Sequence, residues 1–399
     1  MIEEEIIDFL RSKESEMVAL LTEWCRINSG SWNDDGLLRM KERLLASLEM
    51  LPGSSSVVEG EPFCLELGEQ SFPARSLISR KKKEKKSPSS VLLNGHMDTV
   101  YGMDHPFQEV NTKEGRMHAP GCADMKGGLV VLLYGLLAYE SLKIDRKLSW
   151  EVLITQDEEI GSYSSMPELK RAAERNDFGL TFEPALPNGD LIRNRYGVGN
   201  FKIQIEGRSA HSGRNMEAGI NAIVCAADLV KSLHDLNIKY SGVISNVASI
   251  QGGEVLNMVP DQASLCFMIR VKDYDWMKKV LSELEILIRE VETHRNCKIE
   301  WTGGFRRPPK IVDRKGEKLL GLIQCAARQF GIPIEWQDTG GASDGNLLSH
   351  YGLPNIDNLG VCGGSIHSSQ EYTVLKSLVE RAAITALTLV KIGNEPLRT

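Results

Sequence analysis

The sequence predicts an α/β protein: a mostly parallel sheet with helices on both faces, interrupted by a smaller inserted α+β unit. Three observations carry this. From about residue 90, short continuous apolar runs alternate with helix-length apolar stretches, as parallel strands buried on both faces and their crossover helices require. Between about residues 196 and 308 the runs become alternating, the mark of strands wet on one face. And 399 residues exceed the usual size of a single core, so two domains are expected.

The N-terminal MIEEEIIDFLRSKESEM reads as an acidic amphipathic helix, without the basic stretch and apolar core of a signal peptide. The basic run KKKEKK, Lys81 to Lys86, lies between SLISR and SSVLLNG and reads as a solvated loop joining two strands. Buried strands are predicted at SSVLLN (89–94), LSWEVLIT (148–155), FGLTF (178–182) and NIDNLGV (355–361). Between the first two, KGGLVVLLYGLLAYESL (126–142) has the length and leucine content of a buried helix. In the middle segment FKIQIEG alternates apolar Phe201, Ile203 and Ile205 with polar Lys202, Gln204 and Glu206. A helix (about 218–235), strands at VISNVASI and ASLCFMIRV, a helix (about 274–293) and a short strand at CKIEW complete the order βαββαβ, that of a ferredoxin-like unit. The expected organisation is a main domain from 1–195 and 309–399, with an inserted domain at 196–308.

Composition excludes several classes. A net charge of −7 argues against a nucleic-acid partner. No uninterrupted apolar segment reaches membrane-spanning length. The eight cysteines are scattered without a CxxC pair, which suits neither a disulfide scaffold nor a thiolate zinc site, so a reduced, cytoplasmic setting is expected. No GxxxxGK[ST] or GxGxxG opens a helix, which removes a nucleotide-binding reading.

The residues just beyond each strand matter most, because ligands in open α/β sheets gather outside the carboxyl ends of the strands. LLNGHMD ends in His96 and Asp98; APGCADMKGG delivers Asp124 just before a helix; LITQDEE gives Glu158 and Glu159; LTFEP gives Glu183; GVCGGSIHSS gives His367. Two histidines with several carboxylates and no thiolate match a pair of divalent ions, zinc first, with cobalt and manganese as alternatives. Two such ions about 3.5–4 Å apart need a carboxylate between them, and Asp124, flanked by small residues, is the natural bridge. Asp98 can accept the second N–H of His96 and fix its tautomer. Adjacent like charges at Glu158 and Glu159 repel unless cations offset them. With a metal present, Glu159 binds one ion while Glu158 serves as general base and acid toward a water that the ions activate. The chemistry is hydrolysis of an amide.

GHMDTV, PGCADMKGG, TQDEEIGS, FEP, GRSAHSG, GGEVLNMVPD and GGSIHSS, in this order, resemble the M20 metallopeptidases. Within them the chain is most similar to the glutamate carboxypeptidase (carboxypeptidase G2-like) and acetylornithine/succinyl-diaminopimelate deacylase group. An M28-type aminopeptidase shows a similar order of His, Asp, Glu-Glu, acid and His but lacks an inserted βαββαβ unit. The resemblance implies Glu159 and His367 on one ion, His96 and Glu183 on the other, Asp124 across both, and Glu158 as acid/base. It implies a cis peptide after Asp124 and a homodimer through the inserted domain. It also implies that His211, which as a loop residue could simply cap a helix, reaches a partner subunit's active site to support an oxyanion. Arg270 and Asn257 look like a clamp on the substrate carboxylate, with an ordinary surface ion pair as the alternative for Arg270. GGASDGNLL (340–348) resembles a site-lining loop, and Ser343 and Asp344 are given positioning roles only. Arg306 and Arg307 suggest themselves as further contacts to a C-terminal glutamate.

The expected substrate is a small peptide or N-acyl amino acid, cleaved next to a free carboxylate. The carboxypeptidase, deacylase and dipeptidase versions share every catalytic residue, so sequence does not separate them. A catalytically inactive binding protein of the same fold is the non-enzymatic alternative, although no ligand or base is missing.

Overall fold

The computed structural model describes residues 1–65, 73–81, 89–144 and 148–394; apart from Lys81, the expected KKKEKK loop lies outside them. The main sheet has six strands in the order Ser54–Glu59, Arg75–Arg80, Ser149–Thr155, Ser90–His96, Phe178–Thr181 and Asn355–Ile356. The last four run parallel, and the first two join antiparallel at one edge.

The continuous apolar runs arise because each central strand feeds two cores. Val91, Leu93, Val152 and Ile154 enter a large core with helices Ile2–Cys25, Lys126–Ser141, Arg314–Gln329 and Lys376–Asn394. Leu92 and Leu153 point the other way, into a smaller core with helices Met166–Arg175 and Asp344–His350. Alternate side chains of a strand face opposite sides, so a strand covered on both faces cannot alternate in polarity.

Three of the four predicted strands form nearly as expected. The fourth, NIDNLGV, joins the main sheet only at Asn355 and Ile356, with a lone antiparallel bridge from Asp357 to Ile192. Beyond them Asp357 and Asn358 turn their side chains to Arg195, at 2.7 Å each, and Asn358 adopts φ +65°, which breaks the ladder.

Residues 197–307 build a second unit with its own core. Its antiparallel sheet has the order Val243–Gly252, Gln262–Val271, Gly197–Glu206 and Lys298–Arg307. Helices Ala222–Lys239 and Tyr274–Arg295 contribute to the core on one face, where Phe201, Ile203 and Ile205 are buried; Lys202, Gln204 and Glu206 alternate outward. The first of these helices starts later than the expected residue 218, because the Asn221 side chain accepts the N–H groups of Ile223 and Val224 and caps it there. The last strand runs past CKIEW to Arg307, bent by a register shift after Gly304. That bend delivers Arg307 to the main sheet. No helix among the described residues is long and apolar enough to cross a membrane.

Candidate active site and metal centre

Parallel register places His96 beside Thr155 and Asn94 beside Thr181. The chain therefore leaves three neighbouring strands at one edge, and within a few residues reaches His96–Asp98, Glu158–Glu159 and Glu183. Asp124 arrives at the same edge from the turn before helix Lys126–Ser141, where the Asp124–Met125 peptide is cis.

The side chains converge around Asp124. Its Oδ1 lies 3.2 Å from His96 Nε2, which is 3.7 Å from Glu183 Oε1. Its Oδ2 lies 3.3 Å from His367 Nε2, which is 3.3 Å from Glu159 Oε2. One carboxylate thus divides the cluster into a His96–Glu183 half and a Glu159–His367 half. His96 Nδ1 is 3.0 Å from the Asp98 carbonyl oxygen and 3.3 Å from its Oδ1, so this nitrogen carries the ring proton and Nε2 is left to the cluster.

Asp98 does more than the sequence suggested. The N–H groups of Glu158 and Glu159 donate to its Oδ1 and Oδ2 at 3.1 Å, and the Ser31 hydroxyl donates to Oδ2 at 2.8 Å. The same carboxylate that faces His96 thereby fixes the turn that carries both glutamates.

Four carboxylates in so small a space titrate abnormally. Burial pushes Glu158 and Glu159 up to about 8 and Glu183 up to about 7, although Arg307, His367 and His96 respectively pull them down. Asp124 is also penalised by burial, yet hydrogen bonds from His367 and His96 hold it below the ordinary aspartate range. The same contacts with Asp124 and Glu159 raise His367 to about 11. Carboxylates outnumber cationic groups in the cluster, and among the described residues Glu159 Oε1 is buried without a hydrogen-bond partner. Nitrogen and oxygen donors without sulfur, grouped as His96, Asp124 and Glu159 and as His96, Glu158 and Glu183, fit divalent cations.

The cluster forms part of the wall of a cavity of about 910 Å³. Arg270, Arg306 and Arg307 line the same cavity. Arg270 is half-buried and donates to the Gly340 carbonyl oxygen at 2.6 Å, while Arg306 lies over the Tyr163 ring at 4.7 Å. Ser343 caps helix Asp344–His350, and Asp344 accepts from Thr155 and Ser162, so this loop supports the Glu158 turn from behind.

His211 and Asn257 are not brought to this cavity. Both are exposed at one corner of the inserted unit, where His211 bridges Met258 and the Asn257 carbonyl accepts the Ser212 N–H. One buried residue escaped sequence reasoning, Glu371, and one residue that the sequence marked as a substrate contact, Arg307, also meets the Glu158 turn. Arg307, at the cavity wall, stands 3.0 Å from Glu158 Oε1. Glu371 accepts backbone N–H groups from the Asp124 turn. Its signal was present in HSSQE, a glutamate four residues beyond His367 in a stretch of small and polar residues.

Comparison with known proteins gives the family. The model of peptidase family M20/M25/M40 matches residues 92–391. Carboxypeptidase G2 of Pseudomonas sp. (strain RS-16) is 29% identical over 314 residues, covering 76% of this chain and 74% of that protein. A succinyl-diaminopimelate desuccinylase of Rickettsia bellii (strain RML369-C) is 22% identical over 314 residues, covering 73% and 78%. Among solved structures, the YXEP protein of Bacillus subtilis, described as a dinuclear metal-binding peptidase from the M20 family, superposes with a TM-score of 0.69 at 14% identity, covering 96% of this chain and 99% of that one. The chain belongs to peptidase family M20/M25/M40 and is a hydrolase of the metallopeptidase type.

Proposed function

We propose that the chain is a two-metal carboxypeptidase that releases a C-terminal residue, with glutamate the leading candidate, from a peptide or N-acyl conjugate. The observation that carries this is the division of the acid–histidine cluster by Asp124 into two halves, each with one histidine and one glutamate. His96 and Glu183 would hold one ion, Glu159 and His367 the other, with Asp124 shared between them. When bound, zinc, cobalt or manganese would supply Lewis acidity toward a carbonyl and lower the pKa of water.

The chain's own groups do the rest. Glu158 takes a proton from the attacking water at its carboxylate and returns it to the leaving amine. Asp98 orients His96 and, through two backbone bonds, the Glu158–Glu159 turn. Arg270 and Arg306, which have no carboxylate within ion-pair distance among the described residues, give the cavity the positive charge that a free carboxylate needs beside the scissile amide. Carboxypeptidase G2 is among the similar proteins, which favours the carboxypeptidase version.

Two separate cores support a division into a catalytic domain, 1–195 with 309–399, and a lid domain, 196–308. In this reading the lid pairs with that of a second subunit, which places exposed His211 and Asn257 at the partner's cavity. Cysteines scattered along the chain without a CxxC pair suit a reducing, cytoplasmic setting. The desuccinylase relative favours a second reading, removal of a small acyl group from an amino acid.

The test is a matched panel of N-acetyl amino acids, N-succinyl amino acids, dipeptides, and N-acyl conjugates ending in glutamate. It is run on metal-stripped protein restored with zinc, cobalt or manganese. Selective cleavage of glutamate-terminated conjugates supports the carboxypeptidase, and preference for small acyl groups moves the assignment to deacylation. Absence of metal-dependent turnover on every member overturns the proposal.

A further inference from the structure

Asp124 and His367 come from opposite ends of the main domain's sequence, yet they must face each other at a defined distance. Glu371 joins the two loops. Its carboxylate is 0% exposed, with Oε1 accepting the N–H groups of Ala123 and Asp124 at 2.8 and 3.0 Å and Oε2 accepting that of Gly121 at 3.1 Å. Four residues earlier in the same loop stands His367 at φ +60°, a conformation that non-glycine residues keep only where surrounding contacts fix it. The Glu371 N–H donates to the Ser368 carbonyl oxygen at 3.1 Å, and the Tyr101 hydroxyl donates to that oxygen at 2.9 Å.

We propose that Glu371 is a positioning residue that sets the separation of Asp124 from His367 and with it the width of the two-metal centre. This rests on the two-metal reading above. The geometry argues for it in two ways. First, the carboxylate binds the N–H of the bridging aspartate itself, so displacement of Glu371 moves Asp124 directly. Second, the fold does not depend on this carboxylate to join the loops: Thr373 also donates to the Cys122 carbonyl at 3.0 Å, and strand Tyr372–Val374 pairs with Arg116–His118. Removing Glu371 therefore loosens the centre while the loops remain docked.

The experiment titrates metal-stripped protein with Co²⁺, following heat by calorimetry and coordination by visible absorption. Wild type takes two ions. Glu371→Gln presents an amide N–H₂ to at least one backbone N–H, so affinity for the two-ion state falls about 10–100-fold and the cobalt spectrum changes. Glu371→Asp keeps the charge but withdraws it by one methylene, and weakens binding in the same way. Leu233→Ala, in the separate core of the inserted unit, calibrates general destabilisation: it melts earlier and binds cobalt as wild type does. Wild-type affinity and spectrum in Glu371→Gln overturn the proposal, as does wild-type behaviour in Glu371→Asp, which would show that charge alone matters. If the wild type itself takes fewer than two ions, the two-metal reading fails and this inference with it.

Discussion

Arg307, the last residue of the inserted sheet, holds Glu158: its Nη2 donates to the Glu158 carbonyl oxygen at 2.7 Å and stands 3.0 Å from the carboxylate Oε1. The same nitrogen donates to the Ser162 hydroxyl at 2.7 Å and lies 3.6 Å from Asp344 Oδ1. The arginine that closes the inserted unit is thus packed onto the proposed acid/base.

Arg306 and Arg307 therefore separate in function despite being neighbours. Arg307→Met should lower kcat by about 10–100-fold with little change in KM, because a displaced acid/base slows the chemical step. Arg306→Met should raise KM for glutamate-terminated conjugates and leave kcat unchanged, because Arg306 faces the cavity over Tyr163. Steady-state kinetics on both variants decides; a KM effect alone at Arg307 would make it a substrate contact.

Glu158→Gln should reduce kcat by at least about 10²–10⁴-fold, the usual contribution of a positioned general base. Cobalt should still bind, since Glu159 and not Glu158 lies beside His367. Turnover retained in the presence of bound metal would remove Glu158 from its role.

Asp98→Asn leaves one of the Glu158 and Glu159 N–H groups facing an amide N–H₂ instead of an oxygen. Metal affinity should fall about 10–100-fold, the range for partners that orient ligands. Unchanged affinity by calorimetry would show that His96 and the glutamate turn hold their places without it.

His211 is exposed and away from its own chain's cavity, so its proposed role at an oxyanion needs a second subunit. His211→Ala should lower kcat by about 10²–10³-fold. Mixing it with Glu158→Gln should restore activity, because one of the two mixed cavities then has both groups. A mixture as inactive as its parents, with subunit exchange verified by mass spectrometry, would defeat the role.

Much of this site was legible because strand ends are legible. A buried parallel strand announces itself as a short apolar run, and the His, Asp or Glu after it falls at the sheet edge wherever register aligns the strands, as it does for His96 and Thr155. The supporting groups were less visible. Glu371 and Arg307 act through contacts between distant segments, and neither spacing nor polarity of the local sequence encodes which backbone N–H or carbonyl they reach. The strand at NIDNLGV failed for the same reason: Asp357 and Asn358 are drawn aside by Arg195, far away in sequence.

The titration of the cluster predicts opposite pH trends for metal-free and metal-loaded protein. Glu158 and Glu159 are raised from 4.5 to about 8 and Glu183 to about 7 in the folded, metal-free chain. A raised carboxylate binds more protons folded than unfolded, so its contribution is fully present below about pH 4.5 and lost as pH rises through 7 to 8. His367, raised from 6.5 to about 11, acts in the same direction: its contribution is present below 6.5 and declines as pH rises toward 11. Asp124 is lowered, and its contribution stays constant above about pH 5. The metal-free melting temperature should therefore fall between about pH 6 and 9. Divalent ions compete with these protons, so their affinity rises over the same interval. At a free concentration one hundred times Kd a single site stabilises by about 2.7 kcal/mol, and at fixed total metal the gain should grow with pH. Thermal melts of both forms at several pH values test this. A metal-induced shift that is the same at about pH 6 and about pH 9 would show that the clustered glutamates are ionised before the metal arrives.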